Sequence, residues 1–279
     1  MRISRRPGVY ALLASILVLI VSVVVAVAAP AAQAAATNYV ALGDSYSSGV
    51  GSGSYLSASG NCLRSTKAYS ALWAAAHSPT SYTSVACSGA KTTDVITNQV
   101  GSLSAATTLA SITIGGNDVG FSPVLTDCVL YGTSTCVSEI NAAETKARTV
   151  LPGLLDNAYS AIRSHAPNAR VVVLDYPRFY DLGVWYCIGL SSTSRSKINE
   201  GADVLDGVIS AAASRHGFAF ADVRSRFAAD HEICDGGSSW LHSVDFTDIE
   251  QSYHPTASGQ SGGYLPAFAG AVSSSTPRP

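Results

Sequence analysis

Five short apolar runs, alternating with stretches of helical spacing, constrain this chain more than any other feature. The runs are Tyr39–Leu42, Thr83–Ala86, Leu109–Ile114, Arg170–Leu174 and Phe218–Ala221. Helices are expected over Thr66–Ala76, Glu139–His165 and Ser194–His216, and again after Pro255. Such alternation predicts an α/β fold, a parallel sheet covered on both faces. Asn168 and Gly217 lie just past two of the helices as C-terminal stops. Pro152-Gly153 should kink or break the Glu139–His165 helix. No repeat, linker or change of composition divides the chain, and the polar tail Ser273–Pro279 is expected to fray.

The N-terminus reads as an export signal over residues 1–36. Arg2, Arg5 and Arg6 form a basic region, an uncharged apolar run follows from about Ala11 to Ala29, and Ala32-Gln33-Ala34 and Ala34-Ala35-Ala36 offer small-x-small cleavage sites. The competing reading is an uncleaved anchor, because the run approaches spanning length. No stop-transfer charges follow it, so cleavage and secretion are expected. Ser4-Arg5-Arg6 is a poor match to twin-arginine export and does not fix the route. Without its first 36 residues the chain keeps 14 Lys and Arg against 19 Asp and Glu, a net charge of −5. That balance argues against nucleic acid as a partner. The remaining 37–279 suits a single α/β domain with a full core.

Six cysteines, at positions 62, 87, 128, 136, 187 and 234, all follow the signal. An even number in an exported chain implies disulfides, and six permit fifteen pairings. The sequential one, Cys62–Cys87, Cys128–Cys136 and Cys187–Cys234, closes only local loops and is the one expected. Zinc is not indicated: there is no Cys-x-x-Cys and no histidine at ligand spacing to a cysteine. Neither a His-Glu-x-x-His nor a calcium loop occurs, and Asp235-Gly236-Gly237 reads as a turn. Gly115-Gly116 falls short of a phosphate loop, so neither a metal nor a cofactor is expected.

The chemistry gathers at strand ends, where ligands of open α/β sheets bind. The first strand runs into Gly43-Asp44-Ser45-Tyr46-Ser47, the second into Cys87-Ser88-Gly89-Ala90, and the third into Gly115-Gly116-Asn117-Asp118. A hydroxyl, a glycine amide and a carboxamide donor would thus converge on one mouth. Acyl transfer needs that set: a nucleophile, and donors for the oxygen that becomes negative. A lone Gly-Asp-Ser is ordinarily just a turn, and Asp44 and Asp118 are read as turn-capping rather than catalytic. Serine also needs a base. His77, His165 and His216 fall near helix C-termini, a favourable place for a surface histidine. His231 and His242 lie in loop-rich sequence. His254, extended before Pro255, leads, but residue chemistry alone leaves the choice open.

The blocks Gly43-Asp44-Ser45-Tyr46-Ser47, Ser88-Gly89-Ala90, Gly115-Gly116-Asn117-Asp118 and Tyr253-His254-Pro255 resemble those of the GDSL (SGNH) hydrolases. The resemblance spans essentially all of 37–279 and is closest to the secreted actinobacterial lipases, esterases and phospholipases of the A type, which carry three sequential disulfides. It implies a three-layer α/β/α sandwich, flavodoxin-like, with a five-stranded parallel sheet. It also implies Ser45 as nucleophile, His254 as general base, and an oxyanion hole from the amides of Ser45 and Gly89 with the Asn117 side chain. Where the family usually has an aspartate three residues before the histidine, this chain has Gln251; Glu250 and Asp248 stand at the wrong offset. A Ser45–His254 dyad is therefore expected, with Nδ1–H held by a backbone carbonyl, that of Ser252 or Gln251.

The aromatic stretch from Tyr176 to Ile188 is expected either to pack over the sheet edge, tethered through Cys187, or to wall an acyl-chain site. Tyr46, Tyr55, Leu56, Trp240 and Phe246 could extend that wall. The reading is a secreted ester hydrolase acting on lipid or small apolar esters, a monomer that meets membrane only as a possible substrate surface. Two alternatives stand beside it: a carbohydrate O-deacetylase, and a non-catalytic envelope-binding protein. The second would tolerate loss of Ser45, Asn117 or His254, and all three are present.

Overall fold

The computed structural model describes residues 36–274, apart from Tyr186, Ile188, Ala229 and Gly237. The expected export signal, except Ala36, and the last five residues of the tail lie outside the described residues. The five apolar runs form one sheet: β1 (Asn38–Gly43), β2 (Ser81–Ser84), β3 (Leu109–Thr113), β4 (Arg170–Leu174) and β5 (Ala219–Ala221). All pairings are parallel and the order is β2-β1-β3-β4-β5. Strands β1, β3 and β4 are buried almost throughout, as a sheet covered on both faces requires. Strand β2 begins and ends two residues earlier than its apolarity suggests. Its extent follows register with β1, from Asn38↔Ser81 to Ala41↔Ser84, and as an edge strand it is only half buried.

On one face α1 (Tyr69–His77) packs against α5 (Leu265–Ser273). Tyr39 of β1 lies between them, its ring 5.4 Å from Trp73 and 5.5 Å from Phe268. The other face carries α2 (Phe121–Thr149), α3 (Leu151–His165) and α4 (Ser192–Arg215), which pack on one another. These layers make a three-layer α/β/α sandwich. The expected Glu139–His165 helix is in fact two helices that part at Val150, not at Pro152-Gly153. Pro152 sits in the first turn of α3, where its missing N–H is not needed. The first of the two also starts 18 residues earlier, at Phe121, with a break at Gly132, where φ is +79°. The Cys128–Cys136 disulfide spans that break. Gly217 takes φ +61° just past α4, and α3 ends at His165 as expected, with Ala166 rather than Asn168 in the capping position. Ser273 and Ser274 are held in place, the latter by the Arg170 guanidinium donating to its carbonyl at 2.5 Å.

Two further disulfides join Cys62 to Cys87 and Cys187 to Cys234. The order β2-β1-β3 reverses direction at β1, so the loops leaving β1 and β3 part above the sheet and open a crevice at their C-terminal ends. Among the described residues no helix is long and apolar enough to cross a membrane.

Candidate active site

The turn after β1 is pinned from several sides. Gly43 has φ +122°, and a Cβ there would lie 2.4 Å from the Thr113 carbonyl, so only glycine fits. Its N–H donates to Gln99 Oε1 (2.7 Å) and its carbonyl accepts from Gln99 Nε2 (2.9 Å). Asp44 then caps the single helical turn Ser45–Ser48 by accepting from the Tyr46 N–H at 3.0 Å. The same carboxylate accepts from Thr113 Oγ1 (2.6 Å) and from the Tyr176 hydroxyl. None of the three contacts is to the histidine, so Asp44 shapes the turn. Burial pushes its pKa up to about 6, against the pull of those donors.

Ser45 opens that turn, and its Oγ lies 2.7 Å from His254 Nε2 across 209 residues of chain. His254 Nδ1 lies 3.0 Å from the Ser252 carbonyl. A carbonyl can only accept, so Nδ1 carries the proton and Nε2 is left to accept from the serine. Gln251 is not the partner: its carbonyl accepts from the His254 backbone N–H (3.0 Å), and its side chain donates to Asp245 Oδ2 (3.1 Å). Burial lowers the His254 pKa to about 4, the Ser252 carbonyl opposing only in part. The imidazole is therefore neutral at neutral pH and able to take a proton.

The residue before His254 escaped sequence reasoning. Tyr253 is buried with φ +64°, a left-handed conformation that costs of order 1–3 kcal/mol for a bulky side chain. It is held there by the Tyr46 hydroxyl donating to its carbonyl (2.7 Å) and by the Tyr180 hydroxyl donating to its own (2.9 Å). Gln260 locks the same region, donating to the Tyr46 carbonyl (3.0 Å) and accepting from the Tyr69 N–H (2.8 Å). None of these partners has a local sequence signature, because each contact joins distant segments.

Asn117 follows Gly115 (φ +119°) and Gly116, whose N–H donates to the Tyr176 hydroxyl (3.2 Å). One N–H of its carboxamide donates to the Ala90 carbonyl (3.0 Å), leaving the second for a ligand. Asp118 accepts from the Thr92 hydroxyl (2.6 Å) and amide, so it ties the loops after β2 and β3 together. Ser45, Asn117 and His254 line one cavity of about 220 Å³. Gly89 does not line it; it is exposed, with φ +75°, on the neighbouring rim between Ser88 and Ala90. Among the described residues the amides of Ser45 and Gly89 make no hydrogen bond. No group of three His, Cys, Asp or Glu side chains converges as metal ligands among them either.

The cavity wall differs from the one read in sequence. Tyr46 and Tyr176 contribute, but Tyr55, Leu56, Trp240 and Phe246 do not. Most of its apolar lining is Phe121, Pro123, Leu125 and Ile249, from the start of α2 and the turn before His254. The aromatic loop divides: Tyr176, Phe179 and Tyr180 are buried, Leu182 and Trp185 are exposed, and Tyr186 and Ile188 lie outside the described residues.

Residues 41–261 match the profile of the GDSL-like lipase/acylhydrolase family. Lipase 1 of Streptomyces coelicolor is 59% identical over 239 residues, which cover 86% of this chain and 88% of that one. Crystal structures of a phospholipase A1 from Streptomyces albidoflavus and of an extracellular lipase from Streptomyces rimosus each superpose with a TM-score of 0.82. Each is 55% identical and covers 85% of this chain and all of its own.

Proposed function

The chain belongs to the GDSL-like lipase/acylhydrolase family and is a carboxylic ester hydrolase, and we propose that it cleaves lipid esters through an acyl-enzyme on Ser45. The observation that carries this reading is the 2.7 Å contact between Ser45 Oγ and a neutral His254 at the floor of an apolar-lined cavity.

Ser45 Oγ attacks the ester carbonyl carbon as its proton passes to His254 Nε2. Negative charge develops on the carbonyl oxygen, where the Ser45 amide and the free N–H of Asn117 stabilise it, and the unbonded Gly89 amide on the neighbouring rim is the third donor. The intermediate collapses as the imidazolium returns the proton to the departing alcohol oxygen. A water molecule, deprotonated by His254, then attacks the acyl carbon and releases the acid. The Ser252 carbonyl holds the tautomer throughout, and it stabilises imidazolium less than a carboxylate would.

Secretion as 37–279, after removal of 1–36, is supported by the basic N-terminus, the three disulfides and the likeness to an extracellular lipase. A lipid substrate is supported by the apolar lining from Phe121, Leu125 and Ile249 and by relatives named as lipases and a phospholipase A1. A fluorophosphonate probe should label the folded protein and fail to label Ser45→Ala. Rates on p-nitrophenyl esters from acetyl to palmitoyl should extend to long chains, and turnover confined to the shortest esters would sink the lipid reading.

A further inference from the structure

Among the described residues, six large apolar side chains are more than half exposed: Leu130, Tyr131, Leu182, Trp185, Phe246 and Ile249. Single exposed apolar residues are ordinary; clustering is not. All six fall on three segments, of which 121–131 and 244–250 contribute residues to the catalytic cavity and 181–185 follows Tyr180, which lines the groove shared with Phe246. Ile249 itself lines that cavity. Leu130 and Tyr131 lie one turn beyond Leu125 and Thr126, which also line it. Phe246 lines an adjoining groove together with Val129 and Tyr180. Leu182 and Trp185, the latter 94% exposed, follow Tyr180 on a loop joined by Cys187–Cys234 to another wall of that groove.

The charge on these segments is one-sided. Residues 121–131, 181–185 and 244–250 contain Asp127, Asp181, Asp245, Asp248 and Glu250, and no lysine or arginine. The cations beside them are already engaged. The Arg195 guanidinium is buried and donates to the carbonyls of Asp181 (2.8 Å) and Val184 (3.3 Å). Lys197 pairs with Glu144 at 2.8 Å. Proteins drawn to anionic membranes carry basic clusters at the contact face; this face carries the opposite sign around apolar anchors.

We propose that this face docks the enzyme on neutral or zwitterionic lipid surfaces, with Trp185, Phe246, Leu182, Leu130 and Tyr131 entering the interface around the cavity mouth. The proposal rests on the lipid-ester reading above and adds a surface-binding step that is separate from the chemistry. Docking would set Ile249 and Leu125 against the lipid, so that an ester leaves the aggregate directly into the cavity. Acidic side chains on the same face would disfavour membranes of negative lipids, most strongly at low salt.

The test uses the mature chain carrying Ser45→Ala, so that binding is read without hydrolysis, in flotation with vesicles of phosphatidylcholine or phosphatidylglycerol. Partition onto phosphatidylcholine should exceed that onto phosphatidylglycerol by at least about fivefold at low salt, with a blue shift of Trp185 emission. In the Ser45 enzyme, Trp185→Ser with Phe246→Ser should cut the rate on aggregated phosphatidylcholine about fivefold or more. The same pair should leave kcat/KM on a monomeric short-chain ester within about twofold. Leu130→Ser with Tyr131→Ser, on a different segment, should act alike if the first pair folds poorly. No partition onto phosphatidylcholine, a preference for phosphatidylglycerol, or equal losses on monomeric and aggregated substrate would overturn the proposal. Failure of the lipid-ester reading would look different, as loss of long-chain ester turnover in free solution.

Discussion

Acidifying the enzyme from pH 7 to pH 5 should leave kcat/KM on a soluble ester almost unchanged. The reason lies in how His254 is placed. Its Nε2 accepts from Ser45 at 2.7 Å and its Nδ1 donates to a neutral carbonyl at 3.0 Å, so no carboxylate is hydrogen-bonded to the ring, and Glu250 nearby favours the cation only in part. Burial therefore dominates and brings its pKa to about 4. Only the neutral imidazole can accept the serine proton, so the rate falls as pH drops through that value. At pH 5 a group of pKa about 4 is roughly nine-tenths neutral, whereas an ordinary histidine near 6.5 would be only about 3% neutral. The assay is a pH profile of kcat/KM on a monomeric p-nitrophenyl ester, which reports the free enzyme. Asp44, raised to about 6 by burial, titrates in between, and Asp44→Asn keeps the cap while removing that titration. An acid limb near 6.5 that persists in Asp44→Asn would refute the reasoning.

Asn117→Ala should lower kcat by roughly a hundred- to a thousand-fold, the cost of one oxyanion donor; steady-state kinetics on the folded variant would read this, and a change under about tenfold contradicts the assigned role. Gln251→Ala should change kcat/KM by less than about threefold, since its side chain holds Asp245 and not the imidazole; a collapse of activity in folded protein would mean that the carbonyl is not the orienting group. Gly43→Ala should cost more than about 2 kcal/mol, because the new Cβ meets a backbone oxygen at 2.4 Å in a positive-φ residue, and thermal denaturation would show it. Asp175 is fully buried beside the equally buried Asp206, its Oδ2 without a hydrogen bond and 3.6 Å from Arg224 Nε, and burial raises the pKa of both against the pull of that guanidinium. A native state that keeps those protons loses stability as pH rises above the ordinary carboxylate range, where the unfolded chain has ionised. Asp175→Asn, which can still accept from the Val223 N–H, should flatten that decline in denaturant titrations between pH 5 and pH 8.

What was legible in the sequence was what local chemistry and periodicity encode. The β-branched run Arg170–Leu174 marks β4 without ambiguity, because a buried parallel strand tolerates little else. The glycines after β1 and β3 marked tight turns, and the serine, asparagine and histidine carried a family pattern. The edge strand β2 and the break at Val150 were misplaced, since the first follows its partner's register and the second the position at which proline is tolerated. The aromatic loop was left open between packing and lining, and it does both through Tyr176, but Phe121 and Leu125 were missed because nothing local says that they turn toward Ser45.

The sequence by itself determined the alternation that makes the sandwich, the residues able to attack, accept and stabilise, and the absence of a carboxylate where the histidine would normally find one. Tertiary structure alone decided that the Ser252 carbonyl takes its place, that Tyr253 is held at positive φ by Tyr46 and Tyr180, and that Asp44 faces Thr113 and Tyr176 instead of the imidazole. Each of these depends on groups far apart along the chain meeting within hydrogen-bond distance. Periodicity and spacing are local quantities, so they name the reacting groups but not the contacts that aim them.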